Sequence, residues 1–201
     1  MHRGRSFDER LLHWIAQHRI EPLTWFTTKL MDIGQSTAFL VSVVVIGVLV
    51  VVLTRAWRVG MAVALANFFG GEIAFTLKNH IQRVRPGIPD AVTNLGGYAM
   101  PSTHAAFTAA PVVALLVVVR WQSRRAFVMA ATVLGLALVL IGAAMVYLGA
   151  HWATDVLAGW ALGVVVGAGV GALFRPRTGQ SQDAPHRSVA PFDRLRDRWG
   201  S

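Results

Sequence analysis

The sequence predicts an all-α, polytopic membrane helix bundle: about five transmembrane helices preceded by N-terminal interfacial helices. Three observations carry this. Of 201 residues, 54% are apolar, and the mean hydropathy is +0.51. The apolar residues are gathered into long blocks, as in membrane chains. The arginines collect between those blocks and in the tail, where membrane topology places them.

The N-terminal stretch Phe7–Ile33 is amphipathic and interrupted. Leu11, Leu12, Trp14 and Ile15 form an apolar side against Asp8, Glu9, Arg10 and Gln17, and Pro22 breaks the stretch before a second short piece, Leu23–Met31. Helices of this kind lie in the plane of the interface, so residues 1–35 are read as interfacial. The first 20 residues are charged and lack the apolar core of a cleavable signal peptide. Five blocks follow, Ser36–Thr54, Val59–Leu77, Ala105–Val119, Ala126–Leu148 and Trp152–Phe174. At about 1.5 Å per residue most reach roughly 28 Å, close to a hydrocarbon core. The third is short unless it extends through Ser102 or Arg120. Trp57, Trp121 and Trp152 stand at span ends as interface anchors. Asn67 and Glu72, inside the second block, are expected to make structural hydrogen bonds in the bundle interior. Residues 36–174 thus form one membrane unit. Residues 175–201 read as a disordered basic tail with a weak surface helix at Phe192–Trp199.

There is no cysteine, which excludes disulfides. A net charge of +9 in a soluble chain would suggest nucleic acid. Here the arginines follow the loops, so the expected partner is the bilayer and not nucleic acid. Arg55 and Arg58, then Arg120, Arg124 and Arg125, then Arg175 and Arg177, fall on one side of five alternating spans, which the positive-inside rule makes cytoplasmic. The loops at 78–104 and 149–151 then face outward. The first of them is nonetheless basic, with Lys78, His80, Arg83 and Arg85.

Those outer loops hold the chemistry-bearing residues. Lys78 and Arg85 can neutralise a phosphate, arginine in a two-pronged fork. Ser102 is a good N-cap for the third span, leaving the N–H groups of Thr103 and His104 at a helix start, an anion site. His151 and Asp155 are four apart and share a helical face. The carboxylate can hold the imidazole in one tautomer, leaving its other nitrogen as nucleophile. His104 can protonate a leaving alkoxide. A metal site built from His104, His151 and Asp155 is the rival reading, and Lys78 and Arg85 converging on the same pocket would repel the cation.

These residues resemble the type 2 phosphatidic acid phosphatase (PAP2) family, whose motifs are K-x-x-x-x-x-x-R-P, P-S-G-H and S-R-x-x-x-x-x-H-x-x-x-D. The chain matches at Lys78, Arg85 and Pro86, then at Pro101, Ser102 and His104, then at His151 and Asp155. The resemblance implies a helical bundle acting on a lipid phosphate. It further implies a phosphohistidine on His151, His104 as general acid, and neither metal nor cofactor. A phosphatidate, a phosphatidylglycerol phosphate or a polyprenyl phosphate would be the substrate, at the extracytoplasmic face of the cell membrane. Thr103 replaces the glycine of the second motif. Ala144 and Met145 replace the serine and arginine of the third, so one phosphate-clamping cation is missing. Arg83 is expected to supply part of that charge, and an arginine reinstated at position 145 to strengthen activity. A lipid-phosphate binder that has lost activity, or a phosphotransferase of the same fold, is the alternative.

Overall fold

The structure, a computed structural model, describes residues 6–87, 89–93 and 95–176. The expected tail from residue 177 onward, with its Phe192–Trp199 helix, lies outside the described residues. Among them are seven helices and no strand: α1 (Phe7–Gln17), α2 (Glu21–Gln35), α3 (Thr37–Thr54), α4 (Trp57–Ile81), α5 (Thr103–Val118), α6 (Arg124–Tyr147) and α7 (Ala153–Phe174).

Local chemistry sets the boundaries. Ser6 opens α1 with a reciprocal capping box: its hydroxyl accepts from Glu9 N at 3.3 Å, and the Glu9 carboxylate accepts from Ser6 N at 2.7 Å. The break after α1 falls at 18–20, not at Pro22. That proline sits in the first turn of α2, where its missing N–H costs nothing. Ser36, Ser102 and Ser123 cap α3, α5 and α6, each hydroxyl accepting from the backbone N–H three residues on, without the reciprocal carboxylate.

Four helices, α3, α4, α6 and α7, are long and apolar enough to cross a membrane. The remaining expected span, the third in chain order, is α5; it has 16 residues and is the centre of the bundle, packed between α4 and α7. Lipid tails offer no hydrophobic drive between helices, so close packing of small residues must hold them. Gly159, Gly163, Gly167 and Gly171 form one stripe on α7. A Cβ at Gly167 would stand 2.3 Å from the Ala110 carbonyl oxygen, and one at Gly163 2.8 Å from that of Ala106. On the other side of α5, Ala62, Ala66, Gly70 and Ala74 of α4 form a second stripe. Pro111 interrupts α5 and cannot donate to the carbonyl of Phe107, one turn before it. Asn67 Nδ2 of α4 donates to that carbonyl at 2.9 Å, so no orphaned acceptor faces hydrocarbon. Asn67 thus makes a structural hydrogen bond as expected, although the residue is exposed and not in the bundle interior. Glu72 does not: its side chain is exposed and lines a groove between α4 and α5.

In contrast to α5, α3 buries no residue, and α6 buries only Gly142, Ala144 and Met145 near its C-terminal end. The end of α4 and the beginnings of α5 and α7 meet at one end of the bundle. There the Ser102 N–H donates to the Asp155 carbonyl at 2.9 Å. α1 lies across this end. His13 Nδ1 is 3.2 Å from Asp90 Oδ1, and Arg19 donates to the carbonyls of Asp90 (2.7 Å) and Tyr147 (2.9 Å). Of the four residues expected to form the apolar side of α1, Leu12 is buried and Trp14 is exposed.

Candidate active site

Lys78 continues the small-residue stripe of α4, so its side chain faces α5 at the bundle end, and it is 9% exposed. Gln82, with φ 52°, closes α4 in the left-handed region and turns the chain over that end. Arg85 is drawn inward. Its Nε donates to the Gly96 carbonyl (3.1 Å) and its Nη1 to the Ala150 carbonyl (2.7 Å). Ser102 is buried, and its hydroxyl accepts from Ala105 N at 3.3 Å. The first N–H groups of α5, on Thr103 and His104, have no acceptor within the helix. Gly149, with φ 71°, makes the turn into His151, and a Cβ there would meet Ala91 Cα at 2.7 Å.

His151 is buried, and its two ring nitrogens have different surroundings. Arg85 Nη1 lies 3.1 Å from Nε2. A guanidinium only donates, so Nε2 must carry a lone pair and the ring proton sits on Nδ1. Nδ1 is 3.6 Å from Asp155 Oδ2, an ion-pair separation longer than a hydrogen bond. Such contacts tighten when a reacting group arrives. Asp155, fully buried, accepts from Trp152 N at 2.9 Å through Oδ2 and from Arg83 Nη1 at 2.7 Å through Oδ1. Burial lowers the His151 pKa, and the cations of Arg85 and Lys78 lower it further, while Asp155 opposes them. Burial likewise lowers the pKa of Arg85, with Asp155 opposing. His104 is within electrostatic reach of His151, Lys78 and Arg85.

Lys78, Arg85, Ser102, Thr103, His104, His151 and Asp155 are therefore at one end of the bundle, around the starts of α5 and α7. Thr103 also stands at the mouth of the groove lined by Phe68, Glu72, Phe75 and Phe107. Arg83 departs from the expectation. Its fork is not beside Arg85 facing an anion: Nη2 donates to Asp8 at 2.7 Å while Nη1 is held by Asp155. Two carboxylates outcompete the pocket for this cation. Met145 is buried in an apolar cluster with Ala105, Ala150 and Val156, its Sδ 3.9 Å from Ser102 Oγ. An arginine reinstated there has no carboxylate awaiting it. Sequence reasoning missed Asp8, Thr154 and Trp152. The ring of Trp152 lies 5.6 Å from the Arg83 guanidinium, and its Nε1 donates to the Val84 carbonyl at 2.9 Å, so it is a wall of the site as well as a span end.

A family model described as the PAP2 superfamily matches residues 55–178. Phosphatidylglycerophosphatase B of Bacillus subtilis (strain 168) is 32% identical over 169 residues, covering 81% of this chain and 80% of that protein. The crystal structure of a transmembrane PAP2-type phosphatidylglycerolphosphate phosphatase from Bacillus subtilis is similar with a TM-score of 0.69 at 25% identity, over 83% of each chain. Aquifex aeolicus LpxE shares the fold, with a TM-score of 0.63 at 21% identity, over 85% of this chain and 98% of that one. The matched residues contain both histidines and the cations around them, and the chain is an integral membrane protein of the PAP2 superfamily.

Proposed function

We propose that this chain hydrolyses the phosphate monoester of a membrane lipid through a phosphohistidine on His151, with phosphatidylglycerol phosphate as the first substrate to test. The observation that carries the reading is the Arg85 contact to His151 Nε2 at 3.1 Å, with Asp155 on the other side of the ring. It leaves the lone pair of Nε2 beside a cation that can draw in a phosphoryl oxygen. Lys78, Arg85 and the first N–H groups of α5 bind the phosphate. Nε2 attacks phosphorus, the bond to the lipid oxygen breaks, and His104 gives that oxygen a proton. His104 then takes a proton from water, which attacks the phosphohistidine. The P–N bond breaks, inorganic phosphate leaves, and the imidazole is restored. Asp155 stabilises the cation that develops on the ring.

The cations that serve the phosphate argue against a metal at the same place, and we propose a metal-independent reaction. The lipid chains lie in the groove between α4 and α5 that opens at Thr103. Residues 36–174 form the catalytic bundle and residues 1–35 rest at the interface. The site faces away from the cytoplasm, where the arginine loops lie. The identity of the curated relative supports the choice of substrate. Met145 alone favours the rival reading, a binder without turnover.

The test is phosphate release from phosphatidylglycerol phosphate in mixed micelles by the purified protein, with and without EDTA. The parent should turn over in both, and form a covalent phosphoenzyme on rapid quench. His151→Ala should lose turnover and phosphoenzyme together. Near-normal turnover in His151→Ala removes the nucleophile assignment, and tight binding without release supports the binder. A reporter fused after Arg175 should behave as cytoplasmic; export of that end would reverse the orientation.

A further inference from the structure

The mechanism leaves unexplained a buried cluster behind the histidine. Asp8 of α1 is only 6% exposed, although it lies on the polar side of an amphipathic helix. Its Oδ1 accepts from Thr154 N at 3.2 Å, and its Oδ2 accepts from the Thr154 hydroxyl and from Arg83 Nη2 at 2.7 Å. Through Nη1 the same guanidinium donates to Thr154 Oγ1 at 2.6 Å and to Asp155 Oδ1 at 2.7 Å. A carboxylate fully buried where a membrane helix begins needs a counter-charge. The neutral His151 ring offers none, and Arg83 supplies it. Arg83 is shared between two carboxylates, so Asp155 keeps negative charge with which to stabilise the cation developing on His151 during attack.

We propose that Asp8 and Arg83 are positioning residues for the reaction. By docking on the catalytic end, α1 fixes Asp155 through Arg83, and His151 and Asp155 are aligned only while α1 is in place. This rests on the reading of His151 as nucleophile. Two further facts support it. Asp8 is held ionised: burial acts to raise its pKa, but hydrogen bonds from Thr154 and Arg83 outweigh burial and leave it below the ordinary carboxylate value. α1 also has an independent anchor in His13–Asp90, and Arg19, in the connection just after the helix, donates to the Asp90 and Tyr147 carbonyls. All of α1 lies outside residues 55–178, which the family model matches.

The experiment compares Asp8→Asn, Asp8→Glu, Arg83→Ala and Arg83→Lys with the full-length parent, reading kcat, KM and the pH dependence of phosphate release. Asp8→Asn and Arg83→Ala should each lower kcat by about tenfold or more, with KM within about twofold. Asp8→Glu should regain part of the loss. The groups facing His151 are Lys78 of α4, His104 of α5, Arg85 of the loop and Asp155 of α7. Removing Arg83 takes from Asp155 the guanidinium bonded to it and leaves only the more distant Lys78 and Arg85, so the acid limb in Arg83→Ala should move to higher pH. A merely structural loss would lower the active fraction and leave the limb in place. If Asp8→Asn does not fold, Arg83→Lys, which keeps the charge but not the fork, carries the same readout. Parent kcat in Asp8→Asn, or a raised KM with unchanged kcat in Arg83→Ala, overturns the proposal; the latter would make Arg83 a phosphate ligand. His151→Ala separates the two levels. Activity in that variant removes the nucleophile assignment on which this inference rests, whereas an inactive His151→Ala beside a fully active Asp8→Asn defeats only the inference.

Discussion

Replacing Gly159 with alanine should separate the two halves of the site while leaving every reacting side chain in the sequence. A Cβ at Gly159 would stand 2.5 Å from the Ser102 carbonyl oxygen, 2.7 Å from Ala105 Cβ and 3.3 Å from Ala106 N. None of these atoms ends a flexible side chain, so α7 itself must yield. Ordinary contact begins near 3.4 Å, so the local displacement is 3.4 − 2.5 = 0.9 Å. Asp155 is one turn away on the same helix. Its carbonyl accepts from Ser102 N at 2.9 Å, and the full displacement would stretch this to 2.9 + 0.9 = 3.8 Å, beyond a hydrogen bond. His151 and Asp155 would then sit wrongly against the phosphate cradle of α5. Overpacking of this kind costs about 1–3 kcal/mol of stability, and misplacement by about 1 Å can cost up to about a hundredfold in rate. The assay is kcat for phosphate release beside thermal unfolding in detergent. Gly171→Ala is the control. Its Cβ would meet Ala114 O at 3.0 Å and Val117 Cβ at 2.8 Å on the same stripe, far from the site. Both variants should lose stability, and only Gly159→Ala should lose more than about tenfold in kcat. Parent stability and rate in Gly159→Ala would show that the helices are not so close. Equal rate losses in both would show that general loosening, not displacement of the site, is responsible.

The pH profile gives a second check. His151 stays neutral below its ordinary titration range, so the acid limb of kcat/KM should lie on the acid side of about pH 6.5. Lys78→Met removes a cation that holds the value down, and the limb should move to higher pH. The substrate phosphate titrates alike for both proteins and cancels in the difference, so an unmoved limb would deny the coupling. For Met145→Arg, an unpaired guanidinium in the closed cluster of Ala105, Ala150 and Val156 should cost about 3 kcal/mol or more, seen as a large drop in melting temperature without gain in rate. A stable and faster variant would show that the longer chain reaches the phosphate.

The helices were legible because each block is bounded by residues with a physical reason to stop it. Ser36, Ser102 and Ser123 cap helix starts, and arginines stand just after the ends of α3, α5 and α7 at 55, 120 and 175. Lys78, Arg85, His104, His151 and Asp155 could be placed on one face because span alternation alone brings their loops together. Asp8 could not: its partner Arg83 is 75 residues away, and amphipathic periodicity puts it on the wet side. In an interfacial helix the apolar side has lipid as well as protein to face, so Trp14 is exposed while Leu12 is buried. The place of Arg83 depended on which anion it meets first, a competition no spacing reveals. The stripe at 159, 163, 167 and 171 is visible as a repeat of four, but hydropathy treats glycine as neutral and passes over it.

A stripe of identical small residues has a weakness of its own: it is periodic. Slid along its neighbour by four residues, about 6 Å, such a helix meets almost the same surface again, so smooth contact leaves several alignments nearly equal in energy. The Asn67 bond to the Phe107 carbonyl, which the interruption at Pro111 left open, is not periodic. It exists in one alignment of α4 against α5, much as a single buried asparagine selects the register of a coiled coil. The bond from Ser102 N to the Asp155 carbonyl does the same for α7 against α5. Two hydrogen bonds, one deep in the membrane and one at the catalytic end, thus act as index marks on otherwise sliding rods, and they decide whether Lys78 and His151 arrive at the same depth.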